Sequence, residues 1–262
     1  MIEDVLQGED NLLLPSRPPK PREDGWTVLI DNGVPLRYFQ DMIESGHKYV
    51  DLVKFGWGTS IVSDHIGAKI DWLRTHGIDY FFGGTLFEKF FIQGKVDAYK
   101  RYCHQYGCRY VELSNGTIDL SNQAKAELVH EFARDFLVLS EVGYKDQQKS
   151  INLSPVRWIE FMRQDLEAGA TKVITEARES GTGGICRTNG EVRYGLIEEI
   201  LDSGIEHSRI IFEAPNKTLQ TYFIEKAGSQ VNLANVAFTD VIGVETLRLG
   251  LRSDTFMLFE NS

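Results

Sequence analysis

The chain has 262 residues, 42% of them hydrophobic, enough for one large core or two small ones. Its formal net charge of -10 excludes a general nucleic-acid or membrane-surface binder, since both need a basic footprint, but it leaves room for a local basic pocket that takes an anion. No run approaches the roughly 18 apolar residues of a membrane span, the acidic start carries no signal-peptide pattern, and Cys103, Cys108 and Cys186 form no CxxC pair. A cytoplasmic protein with reduced thiols is expected.

Residues 1–24 stand apart as a Pro-rich arm, with LLLPSRPPKPRED favouring an extended, poorly packed chain. Residues 25–262 follow a different rhythm. Buried-looking runs begin near Trp26, Tyr49, Asp79, Arg109, Phe136, Lys172, Arg209 and Val231, the spacing of alternating strands and helices. Between them, SDHIGAKIDWLRTHG places Ile66, Ile70 and Leu73 on one helical face and stops at Gly77. SNQAKAELVHEFARD opens with Ser121 as N-cap and carries Ala124, Leu128, Val129 and Phe132 at core spacing. SPVRWIEFMRQDLEAG opens with Ser154 at the N-cap and Pro155 at the first helical position. PNKTLQTYFIEKAG and TDVIGVETLRLGLR supply the last two helices. Eight strand–helix units predict a single α/β domain, a (β/α)8 TIM barrel. A doubly wound sheet fits less well, because the first turn reads DNGVP and lacks the GxGxxG fingerprint.

An acid recurs where the strand candidates end: Asp31 in LIDNG, Glu112 in YVELS, Glu141 in LSEVG, Glu176 in VITEAR and Glu213 in IIFEAP. Basic and polar groups share those positions: Lys54, Ser114, Lys145, Arg178, Ser180, Lys217, Asn232 and Asn235. In a barrel these ends form one rim, the rim that carries the chemistry. Gathered carboxylates repel one another, so bound cations or basic side chains must hold them. A single strand-end glutamate also serves as a helix cap or an arginine partner, and a lysine such as Lys54 can snorkel. Lys54 lies inside an apolar run, however, which favours a functional role. Glu245, Arg248 and Arg252 share a helical face and read as a solvated or intersubunit ion-pair stripe. The six histidines fall in helices or at helix ends without metal-ligand spacing, and SGTGG is weak evidence for a phosphate loop.

The runs VDLVKFGWGTS, GGTLFE, LSEVGYKD, EARESG, FEAPNK, VNLAN and ETLRLGLRSDT, in that order over about residues 22–257, resemble the phosphosulfolactate synthase family. The resemblance implies a (β/α)8 barrel that uses Mg2+ to add sulfite to phosphoenolpyruvate, giving 2-phospho-3-sulfolactate. It implies Lys145 as general acid with Glu141 orienting it, and Lys54, Arg178 and Lys217 as anion-gripping groups, joined by Ser180 and Asn235. Glu176, Glu213, Asp31 and Glu112 are the metal candidates. The expected partners are those two small molecules and further copies of the same chain, with no nucleic acid and no membrane. The ETLRLGLR helix and the arm are the candidate subunit contacts. Two rim positions depart from the family pattern: Asn32 stands where Lys is usual and Asn115 where Asp is usual, a compensating pair if the two side chains meet. Two readings compete with this one: a Schiff-base aldolase using Lys54 or Lys145, and a non-catalytic barrel like the plant heat-stress-associated proteins.

Overall fold

All eight expected strands form, each within three residues of its predicted start: β1 (Thr27–Asp31), β2 (Leu52–Phe55), β3 (Asp79–Phe82), β4 (Tyr110–Leu113), β5 (Leu137–Val142), β6 (Lys172–Thr175), β7 (Ile210–Glu213) and β8 (Asn232–Val236). The computed structural model describes residues 12–178, 180–187 and 189–259. The strands lie in the order β3-β2-β1-β8-β7-β6-β5-β4, and every registered pair is parallel. β3 and β4, at the two ends of that order, pack on each other and bring the sheet round into a barrel. Helices return the chain between strands, among them Leu36–Gly46, Ile66–Thr75, Gly84–Ile92, Asn122–Phe132, Pro155–Glu167, Lys217–Ala227 and Val241–Arg248.

The helix starts follow the capping chemistry. Ser121 Oγ accepts from the Ala124 amide, Ser154 Oγ from the Arg157 amide, and Pro155 opens its helix without an amide to satisfy. Ile66, Ile70 and Leu73 are buried as their spacing predicts, as are Val129 and Phe132, while Ala124 and Leu128 are only partly covered.

Two apolar layers result. Val28, Leu52, Phe81, Leu139, Ile174 and Ile211 fill the barrel interior, and a larger cluster lies between strands and helices. Strand residues therefore alternate between these two layers, so parity decides whether a side chain reaches the barrel mouth.

The arm departs from expectation. Residues 12–24 carry no helix or strand but are docked across the base of the barrel. Arg17 Nε lies 2.9 Å from Glu245 Oε1, and its Nη1 donates to Gln230 Oε1 at 2.7 Å. Arg22 is buried, 3.3 Å from Asp51, and Lys20 donates to the Val50 carbonyl. The ion-pair stripe expected on the last helix is likewise internal. Arg248 is fully buried and donates to the carbonyls of Ser229, Val231 and Trp26, while Glu245 takes Arg17. These side chains stitch the base of the barrel to the arm. Among the described residues no helix is long and apolar enough to cross a membrane, and the three cysteines are free and buried.

Candidate active site

The rim acids sort by strand parity. Glu112 registers with Leu139, Glu141 with Ile174 and Glu213 with Ala234, and each of those neighbours belongs to the barrel-interior layer. Their carboxylates therefore sit on top of that layer. Asp31 registers with Phe55, which packs in the outer layer. Its carboxylate accordingly points away from the mouth, 2.6 Å from Lys69 Nζ, and accepts the Gly33 and Val34 amides. Asp31 thus shapes the first loop and does not line the mouth cavity, unlike Glu141, Glu176 and Glu213.

Lys54 rises from the interior face of β2 into the acids. Its ammonium lies 3.0 Å from Glu112, 3.3 Å from Glu213 and 3.7 Å from Glu141. Burial alone would lower its pKa, but the three carboxylates outweigh that and raise it above the ordinary lysine value. Lys54 thus neutralises the floor of the site, where its buried ammonium is paired with three carboxylates and lines the cavity.

Lys145, in the loop after β5, reaches back over the mouth. Its ammonium lies 3.4 Å from Glu141 and 3.5 Å from Glu176, and donates to Thr85 Oγ1 at 3.2 Å. Its backbone amide is tied to the Gly116 carbonyl. Burial opposes the charged form, yet Glu141 and Glu176 hold its pKa well above the usual value.

Four carboxylates face two ammonium groups here, an excess of two negative charges if all ionise. The excess divides unevenly. Glu141 is buried, but Lys145 and Lys54 pull it down to about 2. Glu112 is pushed up to about 7, chiefly by burial, with Lys54 drawing it down and Glu141 driving it up. Glu176 is raised well above the usual range by burial and by the neighbouring Glu141 and Glu213. The remaining carboxylate bonds go to backbone: Gly84 N–H to Glu112, Ala177 N–H to Glu213 and Arg178 N–H to Glu176.

Close approach explains two glycines. A Cβ on Gly84 would lie 2.8 Å from Glu112 Oε1, and one on Gly184 would lie 1.7 Å from the Glu176 carbonyl oxygen. The SGTGG segment thus folds over Glu176, with Ile185 N–H donating to the Glu176 carbonyl.

Lys54, Glu141, Lys145, Glu176 and Glu213 line a cavity of about 210 Å3 together with Ile30, Trp57, Thr85, Thr117, Arg178 and Asn235. That is below the ~300 Å3 at which drug-sized sites begin, which suits a metabolite of few atoms. Arg178 is an exposed residue of that lining, and the buried Asn235 has an amide oxygen without a hydrogen-bond partner among the described residues. Lys217 and Ser180 are elsewhere. Lys217 is half exposed on the first turn of its helix, 2.7 Å from Asp254, and Ser180 is exposed and bonded to Thr182. Asn32 is exposed, and Asn115 donates to the Leu120 carbonyl within its own loop; among the described residues the two form no hydrogen bond, so they do not compensate as a pair.

Sequence reasoning missed Trp57, Thr85, Thr117 and Glu88. Glu88 is buried and takes Ser114 Oγ at 2.7 Å and the Thr117 amide at 3.2 Å, fixing the loop after β4. The glycines that bracket Trp57 in GWG were the signal available.

The site also suits a hard divalent cation. Among the described residues no three His, Cys, Asp or Glu side chains form a metal cage. Magnesium does not need one, because it keeps waters and takes one or two carboxylates plus substrate oxygens. Among the described residues Glu141 Oε1 and Glu176 Oε2 are buried and make no hydrogen bond; both lie beside the Lys145 ammonium, at 3.4 and 3.5 Å, and belong to residues that line the cavity.

The family model for (2R)-phospho-3-sulfolactate synthase (ComA) matches residues 15–254. A Bacillus subtilis (strain 168) protein named phosphosulfolactate synthase is 55% identical over 248 residues, covering 95% of this chain and 98% of that protein. One of the same name from Methanocaldococcus jannaschii is 42% identical over 237 residues, covering 88% of this chain and 94% of that one. Among solved structures, a 3-hexulose-6-phosphate synthase superposes with a TM-score of 0.53 at 14% identity, covering 83% of this chain and 97% of its own, a likeness of fold alone.

Proposed function

Since the chain belongs to the phosphosulfolactate synthase family, we propose that it joins sulfite to phosphoenolpyruvate, with Lys145 as the general acid and Mg2+ as the cofactor. The observation that carries this reading is the Lys145 ammonium, held over the cavity by Glu141 and Glu176. The sulfur lone pair attacks the methylene carbon C3, and the π electrons of C2=C3 move onto C2 and its carboxylate. A proton from Lys145 Nζ then completes C2, giving 2-phospho-3-sulfolactate.

Bound Mg2+ would supply electrostatic stabilisation for the charge that develops on the substrate carboxylate. Glu141 and Glu176 would hold it. Glu141 also orients Lys145 and keeps its ammonium charged until the carbanion, which is far more basic, takes the proton. Glu112 and Glu213 are engaged by Lys54 and by backbone amides, so they set the charge of the floor. Anion binding falls to Arg178 and Asn235, with Arg178 offering a bidentate fork to phosphate or carboxylate.

The Schiff-base reading is disfavoured by the same geometry. An amine nucleophile needs a depressed pKa, whereas carboxylates raise both Lys54 and Lys145. Purified protein given sulfite, phosphoenolpyruvate and Mg2+ should form phosphosulfolactate, and a chelator should stop the reaction until Mg2+ is restored. Absence of product across pH 6–9 with Mg2+, Mn2+ or Co2+ would overturn the assignment. Activity that survives complete chelation would remove the metal from it.

A further inference from the structure

Among the described residues, the non-glycine residues with a left-handed backbone are Trp57 (φ 50°), Arg178 (φ 54°) and Asn235 (φ 56°), and all three line the mouth cavity. They stand just after β2, just after β6 and on β8, far apart in sequence. Left-handed backbone is costly for any residue with a Cβ, and a bulky indole there is a genuine outlier. Such outliers persist at sites where the fold over-determines them. Arg178 and Asn235 offer polar groups to the cavity. Trp57 requires a separate account, because the residue is 49% exposed and its indole makes no hydrogen bond among the described residues. Neither core burial nor hydrogen bonding explains why tryptophan occupies this position.

Its neighbours supply the reason. Beside the mouth lies a second pocket of about 400 Å3, with Leu86, Ile92 and Ile118 in its walls. Trp57, Thr85 and Thr117 line both spaces. We infer that Trp57 is a specificity-determining residue: its indole is the partition that closes the small polar mouth against the larger apolar pocket and so fixes the size of the group accepted at C3 of the phosphoenol substrate. This rests on the proposed reaction. The mouth is otherwise lined by charged and polar groups, with Ile30 and Trp57 its only large apolar walls among the described residues. The uncharged methylene is the part of the substrate that belongs against such a wall, since phosphate and carboxylate are drawn to Arg178, Lys145 and the cation. An alkyl group added at C3 would then meet the indole.

The test compares the wild-type chain with Trp57→Gly, using sulfite and either phosphoenolpyruvate or its C3-methyl homologue. Glycine accepts the left-handed backbone and removes the partition. The ratio of kcat/KM for the methyl homologue to that for phosphoenolpyruvate should rise by about 10- to 200-fold, the discrimination that one methylene commands in an apolar pocket. The melting temperature should stay level or rise. Trp57→Phe, which keeps a wall, should restore most of the wild-type preference. An unchanged ratio would overturn the inference, as would a ratio that shifts only together with a fall in melting temperature of several degrees. Failure of the wild-type enzyme to consume phosphoenolpyruvate would instead remove the reaction on which the inference rests. The two failures are therefore separable.

Discussion

Lys145 and Glu112 carry the sharpest residue-scale tests. If Lys145 delivers the proton to C2, Lys145→Ala should lower kcat by roughly 10²- to 10⁴-fold, the span of general acid–base catalysis. Its ammonium pairs with the buried Glu141 and Glu176, so the variant should also lose some stability, and kcat is to be compared well below its melting temperature. A loss of turnover no greater than threefold would exclude it as the acid. Glu112 predicts a pH signature. Its folded pKa of about 7 lies above its ordinary value of 4.5, so the native state binds the proton more tightly than the unfolded chain does. The resulting stabilisation is fully present below pH 4.5 and is lost as pH rises through 7. Over that window the loss is on the order of 3 kcal/mol for this fully buried group. Glu112→Gln keeps an acceptor for the Gly84 amide and cannot ionise. Its stability relative to wild type should therefore rise between pH 5 and pH 8, as read by denaturant unfolding at each pH. A parallel dependence in the two proteins would show that Glu112 titrates normally.

At the scale of single elements, the strand ends were legible but their facing was not. The period of hydrophobic runs placed all eight strands, and the acids at their ends marked the rim. β1 is buried on both faces, so nothing in TVLID distinguishes inward from outward, and Asp31 was grouped with acids of the opposite parity. Lys217 lies away from the mouth for another reason: it follows the strand by a loop and opens a helix, where a lysine reaches solvent and Asp254. Trp57 was hidden because its role comes from a backbone conformation that only the flanking glycines hint at. The helix Asn122–Phe132 held a further surprise. Lys125, which composition would put at the surface, is fully buried and lies 2.8 Å from Asp165, itself bonded to Ser140 on β5. It also donates to the Glu141 carbonyl at 2.7 Å, so this network props the strand end that presents Glu141. Lys125→Met should destabilise the protein by about 3–5 kcal/mol, because Asp165 would remain as an uncompensated buried charge. Lys125→Met combined with Asp165→Leu should recover most of that loss in urea unfolding. If the single variant proves no less stable than the double, the pair is not what holds the helix to β5.

For the molecule as a whole, the base and the mouth have separate duties. The base is closed by the arm, and its charges are consumed internally: Arg17 by Glu245 and Gln230, Arg22 by Asp51, Arg248 by three carbonyls. Residues 12–24 carry no helix or strand, and their proline content could not show that Arg22 would find the buried Asp51 or that Arg17 would find Glu245, more than two hundred residues away. Such pairs contribute little net stability when intact and cost much when halved, since the stranded partner keeps its desolvation penalty. Arg17→Ala strands Glu245, whose side chain is only 3% exposed. It should lower stability by about 3 kcal/mol or more, which for a chain this long is a fall of roughly 6 °C or more in melting temperature. Because the mouth lies at the opposite end of the strands, kcat/KM measured well below that temperature should stay within about twofold of wild type. A melting temperature unchanged to within a degree would mean that the arm is loosely held after all. A large loss of kcat/KM at intact stability would mean that base and mouth are coupled through the barrel interior.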